Sequence, residues 1–203
     1  MNKEYDPDSR VEEAQVKYSR LYTYSDYLKW DDDKRRELID GVPYLMSAPG
    51  RRHQIVSRTL LVQFVNILHG KPCKVYHAPF DVRLNADTLD NTVVQPDLLV
   101  VCDSSKLSEA GCKGAPDLVV EILSPSTSRY DRIIKFKTYL KSGVREFWII
   151  DPKLCILEVH ILKGNNYITY PYANNDIVPV HVLEGCSIDL SEVFEEIGAL
   201  EDD

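Results

Sequence analysis

The spacing of apolar residues along the chain predicts short strands alternating with amphipathic helices. Between His53 and Leu68, apolar residues recur every three or four positions, which indicates a helix that ends before Gly70. The segments PDLLVVCD (96–103) and PDLVVEIL (116–123) are short apolar runs that predict buried strands. The polar residues between these two runs predict a connection.

The remaining segments predict elements of the same kinds. Thr23 and Asp26 resemble a capping box, which predicts a short helix over residues 24–30. Asp40-Gly41 is a strong hairpin signal between two short strands. The other predicted elements are a strand over 73–84, a helix over 129–142, a strand over 145–151, a hairpin turning at 164–166 and a last short helix after Asp189.

Together these elements predict a mixed α/β fold, in which a β-sheet is flanked by helices. We expect a single domain over residues 21–203, because no repeat, linker or low-complexity segment interrupts this range. Residues 1–20 are polar and show no clear pattern, so they are expected to form a flexible lead.

Composition narrows the classes of protein to consider. The 203 residues carry a formal net charge of -8, which argues against a basic coat for tight, non-specific nucleic-acid binding but leaves room for a local basic groove. No apolar run approaches the length of a membrane helix, and the charged N-terminus lacks the apolar region of a signal peptide. Five scattered cysteines without a C-x-x-C pair predict reduced thiols. We therefore expect a cytoplasmic protein without a membrane partner.

Glu121 does not suit its apolar surroundings in PDLVVEIL, because a buried carboxylate needs a partner. Asp117 shares its face of the strand but lies four residues away, at about 13 Å. Asp97 begins the preceding strand, and if the two strands pair, facing residues have Cβ atoms about 5 Å apart. Two carboxylates at that separation can share one divalent cation such as Mg²⁺, which would neutralise both.

A lysine near these acids would offset the charge that develops on a phosphate, and the helix over 129–142 can supply one. Lys135 and Lys137 lie on opposite edges of its packing face, and periodicity does not choose between them. Lys135 stands four residues after Asp131 and four before Tyr139, so these three side chains form one ridge.

Each of these residues also has an ordinary structural interpretation. Asp97 follows a proline and would then be a turn residue, and the acid of the apolar strand could face solvent from an edge strand. His53, close to a helix start, would be a capping or surface residue. Glu37 could simply pair with Arg35 or Arg36.

In combination, these features resemble the PD-(D/E)XK nuclease superfamily and, within it, the Uma family of restriction endonucleases. The similarity extends from about residue 22 to 151 and is carried by YTYSDYLKW, ELIDG, RRHQI, VVQPDLLVV, PDLVVEILSPST and DRIIKFKTYLKSGVREFWIID. It implies a restriction-endonuclease-like fold, with a central mixed β-sheet flanked by helices, and a site that depends on Mg²⁺ or Mn²⁺.

The resemblance also implies roles for the two acids and the lysine. Asp97 corresponds to the aspartate of the PD motif and Glu121 to the second acid. The superfamily's lysine commonly stands two positions after that acid, where this chain has Leu123. The family's Asp–Lys–Tyr spacing falls instead on the helix ridge, which selects Lys135 and makes Tyr139 a supporting residue. Two further supporting positions fall on Glu37 and His53.

Two functions from different classes are compatible with these residues. In the first, a metal-dependent endonuclease hydrolyses DNA: Asp97, Glu121 and the carbonyl of Ile122 hold the metal, and Lys135 acts on the attacking water. The basic residues that could follow the phosphate backbone are Arg51, Arg52, Arg129 and Arg132. Many enzymes that cut both strands are dimers, so a homodimer is considered too. In the second, a nuclease fold of little or no activity serves as a binding or assembly module, which the acidic charge and the displaced lysine favour.

Overall fold

The structure is a computed structural model that describes residues 20–125, 128–198 and 200. The predicted lead therefore lies outside the described residues except for Arg20. The strands, in chain order, are β1 (Arg36–Ile39), β2 (Val42–Leu45), β3 (Lys74–His77), β4 (Val82–Arg83), β5 (Val93–Val94), β6 (Leu98–Val101), β7 (Leu107–Ser108), β8 (Gly111–Lys113), β9 (Leu118–Ile122), β10 (Glu146–Asp151), β11 (Ile156–Lys163), β12 (Asn166–Ala173), β13 (Ile177–Pro179) and β14 (Ser187–Asp189).

Helices fall close to their predicted positions. Thr23 and Asp26 form the predicted capping box, although the helix that follows is shorter than expected. Gly143 ends the helix that contains Lys135 by adopting the left-handed conformation, with φ of 80°. The helices are α1 (Tyr24–Tyr27), α2 (Arg51–Leu68), α3 (Phe136–Ser142) and α4 (Leu190–Phe194), with a 3₁₀ turn over Ser104–Lys106 and a π-helical turn over Tyr130–Lys135.

A six-stranded mixed sheet carries the two strands that the PDL segments predict. Its order is β12-β11-β10-β9-β6-β3, in which β9 runs antiparallel to β6 and parallel to β10. Leu98 pairs with Val120, so the register places Asp97 opposite Glu121 at the next step. The predicted mixed α/β fold is thus confirmed, and the pairing on which the Asp97–Glu121 argument depended is present.

A second six-stranded sheet, in the order β2-β1-β5-β4-β8-β7, corrects two sequence predictions. The predicted strand over 73–84 is divided into β3 of the first sheet and β4 of the second, separated by Pro79, which lacks the backbone donor a ladder needs. The predicted connection over 104–115 contains β7 and β8. These strands are too short to show the alternation of apolar and polar residues that predicts a strand. Gly111, the first residue of β8, approaches Asp81 so closely that a Cβ would lie 2.1 Å from the Asp81 carbonyl oxygen.

The two faces of the larger sheet are covered by different elements. Alternate residues of β9, such as Val120, pack with Phe64 of α2 and Phe194 of α4 in one core cluster. The intervening residues, such as Val119, pack with Tyr139 of α3 and with the smaller sheet in another. Glu121 lies on the same face of the sheet as Val119, since side chains alternate along a strand. None of the described helices is long and apolar enough to cross a membrane.

The cysteines depart from the prediction of five reduced thiols. Cys73 and Cys102, at neighbouring ends of β3 and β6, form a disulfide. These two strands are antiparallel partners, so their ends are held side by side, a juxtaposition that a sequence separation of 29 residues does not reveal. Cys112, Cys155 and Cys186 are free thiols.

A thiol count tests this pairing. We expect three reactive thiols per chain when the protein is denatured without reductant, and five after reduction, because only the Cys73–Cys102 pair is oxidised. The count should be made with a chromogenic thiol reagent and the bridge located by peptide mass spectrometry. Five reactive thiols without reductant would contradict the disulfide.

Candidate active site

Glu121 is paired with the lysine that the family spacing selects. Lys135 Nζ lies 2.9 Å from both Glu121 oxygens, and the Tyr139 hydroxyl donates a hydrogen bond to Oε1 at 2.6 Å. All three side chains are buried. Lys135 and Tyr139 therefore converge on the acid, as the helix ridge predicts, while Leu123 is a buried apolar residue.

Glu37 is the second buried acid that contacts Lys135. Its Oε1 lies 3.0 Å from Lys135 Nζ and accepts a hydrogen bond from the Gln95 backbone N–H at 2.8 Å. Its Oε2 accepts a hydrogen bond from the Tyr130 hydroxyl at 3.1 Å. The ordinary interpretation of Glu37 as a partner of Arg35 or Arg36 is wrong, because Arg35 donates to Gln95 and Arg36 pairs with Asp32.

The π-helical turn brings several of these groups to one side of the chain. Its wider turn lets the Phe136 N–H donate to the Asp131 carbonyl, five residues back. Tyr130 then reaches Glu37, while an Asp131 oxygen lies 3.8 Å from Lys135 Nζ. Sequence reasoning missed Tyr130, because it lies five residues before Lys135. Residues at that spacing do not share one face of an ordinary α-helix.

Burial and crowding of like charges govern protonation in this cluster. Burial raises the pKa of Glu121 well above its usual value; Lys135 opposes this shift, and the nearby Asp131, Asp97 and Glu37 add to it. Burial alone would lower the pKa of Lys135, but the carboxylates, Glu121 first, outweigh it and raise that pKa. The carboxylates therefore favour the ammonium form of Lys135, and the acids around it outnumber it.

Asp97 lies beside this cluster, at the start of β6. Its Oδ2 accepts a hydrogen bond from the Ile122 N–H at 2.7 Å and lies 3.1 Å from His53 Nε2. The other ring nitrogen of His53, Nδ1, is buried without a partner among the described residues. Asp117 is held elsewhere, by the Cys102 N–H at 2.8 Å and by Arg145 at 3.0 Å, in agreement with its exclusion from the site on strand geometry.

Two adjoining depressions surround these residues. The first, here called the carboxylate pocket, has a volume of about 330 Å³, and its charged lining comprises Glu37, Asp97, Glu121, Asp131, Lys135 and Arg35. The second, here called the basic cleft, has a volume of about 860 Å³ and is lined by Arg51, Arg52 and Lys153, with Asp151 as its acidic residue. His53 and Ser124 line both, so the two depressions adjoin each other at these residues.

Two of the four arginines that the sequence suggested for phosphate contact line the basic cleft. Arg51 and Arg52, at the N-terminus of α2, line the basic cleft, while Arg129 and Arg132 line neither depression. Arg132 forms two hydrogen bonds of 2.8 Å with Glu158 of β11 instead. Lys153 was not predicted, since it follows the strand over 145–151 with no motif to mark it.

The fold is similar to that of a solved putative nuclease. The chain belongs to the Uma2 family: the sequence model of that family, described as "Putative restriction endonuclease", matches residues 24–191. The family resemblance carried by the motifs is thereby confirmed.

Two individual proteins illustrate the similarity. A crystal structure of "a putative nuclease belonging to DUF820" from Anabaena variabilis superposes with a TM-score of 0.70 and 18% identity, over 87% of this chain and 99% of that one, which shows a shared fold. The "Uncharacterized protein slr1290" of Synechocystis is 32% identical over 127 residues, or 62% of this chain. That match spans 65% of the Synechocystis protein.

Replacing Lys135 by methionine tests the electrostatics of the cluster. Removing one partner from a buried ion pair leaves uncompensated charge, so Lys135→Met should lower the free energy of unfolding by about 3–5 kcal/mol near neutral pH. Without the lysine, the folded-state pKa of Glu121 rises further above its unfolded value. The variant should therefore lose stability as pH rises, with a smaller deficit at about pH 5 than at about pH 8.

Urea unfolding of both proteins at the two pH values measures this difference. Lys141→Met is the matched control, because Lys141 is exposed and pairs with Asp40 at the surface, where an ion pair contributes little. Equal stability of the Lys135→Met and Lys141→Met variants would contradict the proposed charge balance.

Proposed function

We propose that the protein is a metal-dependent nuclease that hydrolyses phosphodiester bonds in DNA at the carboxylate pocket. The observation that carries the proposal is the convergence of Asp97, Glu121 and Lys135 from two paired strands and the following helix. Membership of the Uma2 family supports the same reaction class.

The donor set of the pocket suits Mg²⁺ or Mn²⁺. Among the described residues, no three His, Cys, Asp or Glu side chains converge as a metal cage. Mg²⁺ instead takes one or two carboxylates and completes its shell with water and phosphate oxygens. Asp97, Glu121 and the Ile122 carbonyl would hold it. When bound, the ion stabilises negative charge on a phosphate undergoing in-line attack.

The raised pKa of Lys135 limits its part in the reaction. A lysine that stays protonated does not remove a proton from water. It would supply positive charge close to the reacting phosphate, where negative charge increases in the transition state. Glu37, at 3.0 Å from Nζ, and Tyr139, bonded to Glu121, would fix the lysine and the acid relative to each other.

His53 and the arginines of α2 would serve the substrate side of the site. His53, 3.1 Å from Asp97 Oδ2, would orient that carboxylate. Arg51 and Arg52 would bind phosphates of the DNA backbone in the basic cleft. Their positive charges offset the overall net charge of -8 locally.

A second candidate function is a nuclease-fold module for binding or assembly. The observation in its favour is that Lys135 contacts both oxygens of Glu121, so the acid has a partner inside the protein already. In that case the buried charge cluster stabilises the nuclease fold, and the protein does not cleave DNA.

A cleavage assay separates the two functions. The purified protein should cleave DNA with Mg²⁺ or Mn²⁺ and not with a chelator, and Asp97→Asn should reduce the rate by about a hundredfold or more, because it removes a metal-binding charge. The rate should be followed on supercoiled plasmid and on short labelled DNA.

Asp117→Asn is the matched control, since Asp117 also follows a proline at a strand start but lies outside the carboxylate pocket. It should retain most of the wild-type rate. Equal cleavage by wild type and Asp97→Asn would reject this site, and no cleavage by wild type with either metal would favour the binding module.

A further inference from the structure

Part of the carboxylate pocket is apolar and has no role in the proposed chemistry. Tyr44, Leu45, Met46 and Pro49, from β2 and the loop after it, line the same pocket as the acids. The Tyr44 ring contacts the Tyr130 ring, with centroids 4.8 Å apart. The pocket therefore combines a charged cluster with an aliphatic and aromatic surface.

Leu45 does not belong to the hydrophobic core. It is 69% exposed, and β2 is the edge strand of the smaller sheet. An exposed leucine on its own is common, but here it is continuous with the other apolar residues of a concave site. Such a surface is suited to an uncharged, flat group.

The opposite charges of the two depressions determine which part of a nucleic-acid strand each of them can bind. The carboxylate pocket contains four acids, which would repel a second phosphate beyond the one undergoing reaction. The basic cleft presents Arg51, Arg52 and Lys153, which attract phosphates. A strand that passes His53 would keep its phosphates in the basic cleft and turn an uncharged part of a nucleotide into the carboxylate pocket.

We infer that the apolar part of the carboxylate pocket holds an unpaired nucleobase next to the bond to be cut, so that the preferred substrate is single-stranded DNA. A base inside a duplex is stacked and paired, and is not free to enter a pocket. A volume of about 330 Å³ is small for a ligand site and would admit one nucleotide, not a duplex. Gln54, Ser57 and His77 add polar groups for the edge of the base. This inference rests on the proposed nuclease function.

Binding measurements on the Asp97→Asn variant test the inference without cleavage. Fluorescence anisotropy should be recorded in Mg²⁺ with a single-stranded DNA oligonucleotide and with the duplex of the same sequence. The single strand should bind about tenfold tighter or more, because contact with one base contributes that much. Replacing Leu45 and Met46 together by alanine should remove most of this difference and leave duplex binding unchanged.

Two controls make the result specific to the pocket. Leu89→Ala removes a leucine of the same 69% exposure that lines neither depression, and should change nothing. Arg51→Ala should weaken single strand and duplex alike, since phosphates are common to both. Equal binding of the two DNA forms, or a single-strand preference that survives the Leu45 and Met46 replacements, would overturn the inference.

Cleavage by the wild type distinguishes this inference from the proposed function. Metal-dependent cleavage of duplex and single strand at equal rates would overturn the base pocket and leave the nuclease function standing. Preferential single-strand binding that depends on Leu45 and Met46, without cleavage of either DNA, would support the base pocket and overturn the nuclease function.

Discussion

The site is organised by the buried ion pair between Lys135 and Glu121. Taking these charges out of water is costly, and the contact is stable only because further groups complete it. Glu37 and Tyr139 do so from β1 and α3, and this joins the smaller sheet, the larger sheet and the helix at one point. Because the acids outnumber the lysine, the proposed function assigns an added cation to this cluster.

Much of the fold could be predicted from local pattern, but the direct Lys135–Glu121 ion pair could not, since the expected partner of Glu121 was a divalent cation shared with Asp97. The paired PDL segments are strands because their residues are continuously apolar, and their pairing places Asp97 opposite Glu121. The helix spacing and the family resemblance together select Lys135, which lies 2.9 Å from Glu121. Strand geometry alone was sufficient to exclude Asp117.

The features that sequence reasoning missed depend on long-range contacts or on very short elements. The smaller sheet contains strands of two to four residues, which are too short to show a period. The Cys73–Cys102 bridge requires knowledge that β3 and β6 are neighbours. The family resemblance makes Glu37 a supporting position, but its contact with Lys135 arises only through the packing of one sheet against the other.

Calorimetric titration with Mn²⁺ measures whether the excess negative charge around Lys135 forms a cation site with Asp97. Near neutral pH, we expect saturable binding of Mn²⁺ to the wild type, because Asp97 and the acids around Lys135 leave negative charge that a cation would balance. Asp97→Asn should abolish the binding, and Asp117→Asn should not. Absence of Mn²⁺ binding to the wild type, or equal binding to Asp97→Asn, would contradict a cation site formed by Asp97 and Glu121.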